Sequence, residues 1–190
     1  MTKQKGNLME NKYVICVDTK DNQTKILSKK KAHEKPILHR AFSVFVAKDN
    51  KMLLQKRAKQ KYHCGGLWTN ACCSHPDSDE IELCAKARAM QEIGIDLLHI
   101  EPLFEFVYFA KFENGLFEYE YDHVFFAEYD PTQKILFDPN EVEKVQWVDF
   151  DILSKAMAKY PTAFTPWFLH ACPRVIKILE NKQYQKPIHN

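Results

Sequence analysis

The 190-residue sequence lacks any run of about 18 consecutive apolar residues, which a helix needs to cross a bilayer. Its polar beginning, MTKQKGNLMENK, also lacks the hydrophobic region of a signal peptide. These two absences argue against a membrane protein and against export. We therefore expect a soluble, cytoplasmic protein with no membrane partner.

Strong net charge is also missing. The sequence has 27 Lys and Arg against 25 Asp and Glu, and this net charge of +2 is too small to indicate a nucleic-acid partner. Basic residues nevertheless cluster at Lys29–Lys31 and in QKRAKQK (55–61), so a local anion site remains open.

A disulfide framework, internal repeats and low-complexity tracts are absent as well. The six cysteines are scattered, and a chain of this length does not need disulfides to fold, so reduced thiols are expected. With 45% hydrophobic and 27% charged residues, the composition is typical of a globular protein. We expect one domain over residues 11–182, with tails at 1–10 and 183–190.

Antiparallel hairpins dominate the pattern of apolar residues. The predicted strands and hairpins are 13–18, 37–57 with a turn at Asp49-Asn50, 102–129 with a turn at Asn114-Gly115, and 141–150.

Three helices are predicted between and after these strands. Ser78 is a candidate N-cap for a helix that ends at Gly94, and a short helix follows over 151–160. Thr165 and Pro166 are typical of a helix start, whereas Pro173 is expected to kink or break that helix. The pattern predicts an α+β domain in which helices flank a mixed β-sheet.

Histidines and glutamates form a candidate metal site. Glu118 and Glu120 lie two residues apart on a predicted strand, so their side chains share one face. Together with His33, His39 and His75 they offer ligands for Mn²⁺, Zn²⁺ or Mg²⁺. The spacing alone leaves structural or solvated histidines, and glutamates on the exposed side of an edge strand, as open alternatives.

The helix before Gly94 offers one further carboxylate. Arg88 and Glu92 lie four residues apart, which is first of all a salt-bridge pattern. ARAMQEIG (87–94) resembles the end of a Nudix helix that has lost most of its carboxylates, so metal-dependent pyrophosphate hydrolysis is disfavoured. One Mg²⁺ held by Glu92 and a diphosphate remains possible. Arg57, Lys61 and Lys29 are candidate diphosphate ligands only if they converge with that metal.

Four motifs occur in an order and at separations that together are far more specific than any one of them: TNACCSHP, EFVY, EYE and FTPW. In this combination the sequence closely resembles the type 1 isopentenyl-diphosphate delta-isomerases, over residues 12–176. The resemblance implies a Nudix-like fold in which the altered helix is an inherited scaffold.

The resemblance also implies roles for individual residues. It assigns catalysis to Cys73 and Glu120, with Tyr108 supporting the glutamate, and it places Trp167 over the allyl unit. It implies that one divalent metal is bound by His33, His39, His75, Glu118 and Glu120. It implies that a Mg²⁺ bridging to the diphosphate is bound by Glu92 and the Cys73 carbonyl. The implied diphosphate ligands are Arg57, Lys61, Arg88 and Lys29. Cys72 is not a motif position, and we expect it to be a small buried side chain.

The implied reaction interconverts isopentenyl and dimethylallyl diphosphate in isoprenoid biosynthesis, by protonation at one carbon and deprotonation at another. The expected cofactors are Mg²⁺ and a second divalent metal (Mn²⁺, Zn²⁺ or Mg²⁺). The expected partner is a small diphosphate substrate. We expect the protein to be a monomer or a weak homodimer. Two alternatives stay open: a Nudix hydrolase, and a non-catalytic domain that holds structural Zn²⁺ through Cys64, Cys73 and His75.

Overall fold

The computed structural model describes residues 13–185, with side chains described for 13–182. The expected tail 1–10 and residues 186–190 of the second tail lie outside this range. The strands within it are β1 Tyr13–Val17, β2 Gln23–Ser28, β3 His39–Lys48, β4 Lys51–Arg57, β5 Trp68–Thr69, β6 Cys72–Ser74, β7 Glu101–Lys111, β8 Phe117–Glu128 and β9 Val142–Asp149. The helices are α1 Lys29–Glu34, α2 Ile81–Ile93, α3 Phe150–Lys159 and α4 Pro166–Gln185, and a 3₁₀ turn spans Pro161–Ala163.

Strand β3 is the centre of a mixed sheet. It pairs parallel with β8, from His39 opposite Glu120 to Ala47 opposite Glu128, and antiparallel with β1, β4 and β6. Its sequence, HRAFSVFVAK, is buried along almost its whole length, as expected for a strand covered on both faces. The predicted α+β fold, a mixed sheet with flanking helices, is confirmed.

Alternate residues of β3 pack in two hydrophobic cores, one on each face of the sheet. Phe45 packs with Phe168 and Val175 of α4, whereas Val44 packs with Ala89 of α2. The division follows from the two-residue period of a strand. The helices thus cover both faces of the sheet.

Both predicted hairpin turns are confirmed. Asp49 and Asn50 have φ of 50° and 60°, and positive φ at both central residues is what a tight type I′ hairpin turn requires. Gly115, with φ 79°, is in the turn between β7 and β8. These hairpins therefore follow from local turn chemistry.

The prediction that Ser78 caps α2 is wrong, whereas the prediction that Gly94 ends the helix is confirmed. The helix begins at Ile81 after Glu80, without a side-chain cap, and the Ser78 hydroxyl instead accepts from the Glu80 amide at 3.3 Å in the turn before the helix. Gly94 has φ 66° and donates its amide to the Met90 carbonyl. A Cβ at this position would lie 2.5 Å from the Leu136 oxygen, so glycine is needed there.

Pro173 does not end α4, which continues to Gln185. An interior proline removes one backbone hydrogen bond of the helix. The neighbouring Ala171, Cys172 and Val175 are almost fully buried, so tertiary packing offsets that loss.

The sequence-based prediction missed β2 and α1. The six-residue helix α1 begins after Ser28, whose hydroxyl accepts from the Lys31 amide at 3.4 Å. It is too short to show a helical period, and its three lysines suggest only a solvated basic cluster. Across residues 13–185, no helix is both long and apolar enough to cross a membrane.

Candidate active site

The predicted site residues converge on one cavity beside the first half of β3. Most of them line the cavity wall: Lys29, Arg57, Lys61, Cys73, His75, Arg88, Glu92, Tyr108, Glu118, Glu120 and Trp167. His33 and His39 lie behind this wall, with His33 Nε2 3.2 Å from Glu118 Oε2 and His39 Nε2 3.6 Å from Glu120 Oε1. The structure therefore brings every sequence-predicted site residue to one place.

Strand register explains how Glu120 reaches this place. The parallel pairing of β3 and β8 sets His39 opposite Glu120, and the antiparallel pairing of β7 and β8 sets Tyr108 opposite the same residue. Directly paired residues project on the same face of a sheet. Glu120 is consequently flanked by an imidazole on one side and a phenol on the other.

The histidine–glutamate cluster consists of His33, His39, His75, Glu118 and Glu120. One ligand atom from each lies within 4.8 Å of all the others, and all five residues are buried. His75 Nε2 lies 2.9 Å from Glu120 Oε1 and 3.2 Å from His39 Nε2. Imidazole nitrogens and carboxylate oxygens at this separation form a donor set suited to a divalent metal.

Backbone carbonyls set the tautomers of two of these histidines. Nδ1 of His33 lies 2.6 Å from the Lys29 carbonyl oxygen, and Nδ1 of His39 lies 2.8 Å from that of Ile37. A carbonyl only accepts, so each Nδ1 bears the hydrogen and each Nε2 presents a lone pair to the cluster. This is the usual outer arrangement of metal-binding histidines.

Two atoms of the cluster lack the partner that a cation would supply. His33 Nε2 and Glu118 Oε2 are buried and have no hydrogen-bond partner among the described residues, although they face each other. Buried polar atoms without a partner cost free energy, and a shared metal would satisfy both. The cluster can therefore bind a metal.

The two glutamates differ in acidity. Burial raises the pKa of Glu118 to about 7, and the neighbouring charge of Glu120 acts in the same direction. Burial would also raise the pKa of Glu120, but the neighbouring imidazoles of His39 and His75 lower it well below its usual value. Glu120 is thus the member of the pair that holds its negative charge.

A phenol and a thiol lie at the same cavity as the histidine–glutamate cluster. The Tyr108 hydroxyl donates to Glu120 Oε2. Cys73 on β6 is half-buried, and burial raises the pKa of its thiol although Arg57 acts to lower it, with the Arg57 guanidinium 4.0 Å from Sγ. Cys73 is consequently held as a thiol beside a cation.

Trp167 lines the cavity, and a cation already lies over the π face of its ring. The guanidinium carbon of Arg57 lies 5.4 Å from the centroid of its ring, and Trp167 is almost fully buried. Arg57 also has a buried Nε without a hydrogen-bond partner in the described part of the chain. Hence the ring can stabilise positive charge, and Arg57 retains a donor for an anion.

The basic end of the cavity comprises Lys61, Arg88, Glu92 and Glu141. Arg88 Nε donates to Glu92 Oε1 at 2.6 Å, and Gln55 donates to the other oxygen of Glu92 at 2.7 Å. Lys61 Nζ and Arg88 NH2 each lie 2.8 Å from Glu141 Oε2. Two cations are thereby held side by side, as a diphosphate site requires.

Comparisons with known proteins identify the family of this chain. A family model described as NUDIX domain matches residues 37–168. Isopentenyl-diphosphate Delta-isomerase 2 of Aromatoleum aromaticum is 41% identical, with 86% of each chain covered. The Isopentenyl-diphosphate Delta-isomerase of Roseobacter denitrificans is 44% identical over 74% of this chain and 81% of its own. The chain belongs to the isopentenyl-diphosphate Delta-isomerase family.

Solved structures confirm the Nudix fold. A crystal structure of a Deinococcus radiodurans protein superposes with a TM-score of 0.69 at 16% identity, covering 85% of this chain and 98% of that one. The MutT NUDIX hydrolase of Burkholderia pseudomallei gives a TM-score of 0.52 at 20% identity, covering 60% and 85%.

Three cysteines of this isomerase-family chain are now placed. Cys72 is fully buried in the core under α2, as expected for a packing residue. The metal-compatible group found among residues 13–185 includes neither Cys64 nor Cys73. The alternative of a structural zinc site at Cys64, Cys73 and His75 therefore has no geometric support.

Sequence reasoning missed two residues of the site. His63 Nε2 lies 2.8 Å from Glu118 Oε1, and Glu141 bridges Lys61 and Arg88. Burial, reinforced by the charge of Arg57, lowers the pKa of His63 to about 2, so its ring is neutral at ordinary pH. Neither residue belongs to the motifs used for the prediction, although His63 lies only two positions after Lys61.

Proposed function

We propose that this protein interconverts isopentenyl diphosphate and dimethylallyl diphosphate by moving a proton onto one carbon and off another. The observation that supports this best is the meeting of a thiol, a tyrosine-bound carboxylate and an indole face around one cavity. Its relatives are named isopentenyl-diphosphate Delta-isomerases, which supports an isomerisation of this substrate.

An unactivated alkene is protonated with difficulty, because a tertiary carbocation forms. Three needs follow: two groups that exchange protons, a surface that tolerates the cation, and exclusion of water. Cys73 exchanges a proton at Sγ, and Glu120 exchanges one at its carboxylate with Tyr108 as its hydrogen-bonding partner. Trp167 supplies the cation-tolerant face, an interaction of about 2 kcal/mol or more in a desolvated site.

The histidine–glutamate cluster would hold one divalent metal, Mn²⁺, Zn²⁺ or Mg²⁺. Bound there, the metal supplies positive charge that tunes the acidity of the glutamates. His33 and His39 keep their Nε2 lone pairs directed at this site through their carbonyl partners. Glu120 is proposed both as a metal ligand and as a proton-exchanging group. Its orientation by Tyr108 therefore serves both roles.

The diphosphate belongs at the basic end. Arg57, Lys61, Arg88 and Lys29 would bind its oxygens, together with a Mg²⁺ held by Glu92 and the Cys73 carbonyl. Both Glu92 oxygens accept hydrogen bonds, yet each carboxylate oxygen has a further lone pair for a metal. The binding energy of this end holds the alkene against Cys73 and Glu120.

Hydrolysis is disfavoured as the alternative activity. The carboxylates of α2 are Glu82 and Glu92, and Glu82 is exposed and paired with Lys86 at 2.9 Å. Of these two carboxylates, only Glu92 lines the cavity. One helix carboxylate cannot assemble the metal cluster of a diphosphate hydrolase.

The decisive experiment incubates the purified protein with isopentenyl diphosphate and Mg²⁺ and follows the acid-labile allylic product. We expect conversion that EDTA abolishes and that Mg²⁺ or Mn²⁺ restores. A parallel assay with nucleoside diphosphate compounds should release no phosphate. Absence of the allylic product, or phosphate release instead, would contradict the proposed isomerase activity, and conversion indifferent to EDTA would contradict the metal roles.

A further inference from the structure

His63 contacts one oxygen of Glu118, and His33 and His39 face the other. His63 Nε2 lies 2.8 Å from Glu118 Oε1, while Glu118 Oε2 lies 3.2 Å from His33 Nε2 and 4.0 Å from His39 Nε2. His63 is 8% exposed and Glu118 2%, so this contact is sheltered from water. The two oxygens of one carboxylate thus face different partners.

The loop that carries His63 is tightly constrained. A Cβ at Gly65 would lie 2.5 Å from the Lys59 carbonyl oxygen, and Cys64 adopts a left-handed backbone with φ 51°. Asn114 of the β7–β8 turn donates to the Tyr62 carbonyl at 3.0 Å. The backbone on both sides of His63 is therefore held in place.

Aromatic contacts hold the imidazole ring itself. It stacks on Phe112 with centroids 5.1 Å apart and an interplanar angle of 7°, and it meets Trp167 edge-on at 6.0 Å. Few rotations of the ring are compatible with both contacts. These contacts set the plane of the ring, and the 2.8 Å contact with Glu118 Oε1 directs Nε2 within that plane.

His63 is not itself one of the converging ligands. The group of atoms within 4.8 Å of one another consists of His33, His39, His75, Glu118 and Glu120, without His63. Nδ1 of His63 has no hydrogen-bond partner among the described residues, whereas Nε2 faces a carboxylate. A carboxylate requires a donor, so Nε2 bears the hydrogen of the ring.

We propose that His63 is a positioning residue that orients Glu118 for metal binding. Its Nε2–H holds Oε1, so that Oε2 points to the lone pairs of His33 and His39. Tyr108 performs the matching task for Glu120, to which its hydroxyl donates. The inference rests on the proposed metal role of the cluster, but it does not depend on which substrate the protein converts.

The test measures metal affinity directly, with Mn²⁺ or Zn²⁺ alone, by competition with a chromogenic chelator. His63→Phe keeps the stack on Phe112 and removes the donor. We expect it to weaken metal binding about 10–100-fold, the usual effect of removing a hydrogen-bonding partner of a metal ligand. His63→Gln restores an N–H donor and should regain most of that affinity.

His99→Phe is the matched control, since His99 is exposed and outside the site. It should bind metal like the wild type, and thermal unfolding of each metal-free variant checks that the fold is intact. Equal affinities for wild type and His63→Phe, or no recovery in His63→Gln, would overturn the inference. A wild type that binds metal yet converts no substrate would contradict the proposed reaction alone, and one that takes up no metal would overturn the cluster and His63 together.

Discussion

The two ends of the cavity are both built from buried charged groups, yet they are satisfied in different ways. At the histidine–glutamate cluster, His33 Nε2 and Glu118 Oε2 face each other without a hydrogen-bond partner in the described structure. At the basic end, Lys61 and Arg88 share one oxygen of Glu141. The first end has acceptors that converge on a point, and the second has two cations held side by side by a shared carboxylate.

This difference indicates which step each end serves. Converging lone pairs need a cation to complete them, and that cation adjoins Glu120, one of the proton-exchanging groups. Paired cations need no further ligand to be stable, and they offer a surface that a diphosphate can join. Changes near the cluster should therefore lower turnover, whereas changes at the basic end should chiefly weaken substrate binding.

The largest effect is expected from the proton-exchanging groups. Cys73→Ala and Glu120→Gln should each lower kcat by about 10²–10⁴-fold or more, because each removes a group that carries a proton. Steady-state kinetics with isopentenyl diphosphate measure this loss, and circular dichroism should show the wild-type fold.

Cys72→Ala is the matched control for the thiol, since Cys72 is adjacent in sequence but buried in the core. It should unfold at a lower temperature because of the small cavity and retain most of its turnover. Near-normal turnover in Cys73→Ala or Glu120→Gln would contradict the assignment of proton exchange to that residue, and with it the contrast between a catalytic end and a substrate-binding end.

At the basic end, Lys61→Met should act mainly on KM. It removes a cation that would make charge-assisted hydrogen bonds to the diphosphate, each contributing about 1.5–3 kcal/mol. We expect KM to rise about 10–100-fold, with a smaller change in kcat.

Lys59→Met tests whether this effect is local. Lys59 lies in the same loop but is exposed, so its loss removes the same charge without altering the site. Its KM should remain close to that of the wild type. Similar KM values for both variants, or a fall in kcat alone for Lys61→Met, would contradict the assignment of this end to substrate binding.

The smallest predicted effect concerns Asp122, a third carboxyl on the inward face of β8. Burial raises the pKa of Asp122 well above its usual value, as do the charges of Glu120 and Glu118, while Ser43 donates to it at 2.8 Å. Because the folded-state pKa exceeds the unfolded one, the stability gained from the bound proton is full below about pH 4 and falls as the pH rises toward the folded-state pKa.

Asp122→Asn has no proton to lose. Its unfolding temperature relative to that of the wild type should therefore increase from pH 5 to pH 8. The increase should be about 2–4 °C for each kcal/mol of unfolding free energy that the wild type loses over this range. Thermal scans of the metal-free proteins, with Ser43→Ala as a second variant that removes the donor, measure this change. A difference that stays constant with pH would show that Asp122 is ionised in the folded protein.

Local patterns in the sequence were sufficient for much of the fold. The β3–β4 turn at Asp49-Asn50 and the end of α2 at Gly94 follow from residues that tolerate positive φ. Pro173 shows the limit of such rules, because packing of its neighbours overrides its local cost. Ser78 shows another, since its hydroxyl bonds in a preceding turn rather than at the helix start.

The sequence likewise predicted some residues of the candidate site and missed others. The predicted site residues lie at the cavity or in the cluster behind it. His63 and Glu141 were missed because their importance lies in contacts with residues distant in sequence: His63 with Glu118, and Glu141 with Lys61 and Arg88. No local pattern marks such contacts.

By itself, the sequence determined the types of the chemical groups, the hairpins and the family, since these depend on nearby residues and on the order of motifs. Only the tertiary structure decided that ligands from α1, β3, β8 and the segment after β6 meet at one point. The physical reason is register: the parallel pairing of β3 with β8 sets His39 against Glu120. Such long-range pairing is selected by burial on both faces of the sheet and not by any short stretch of residues.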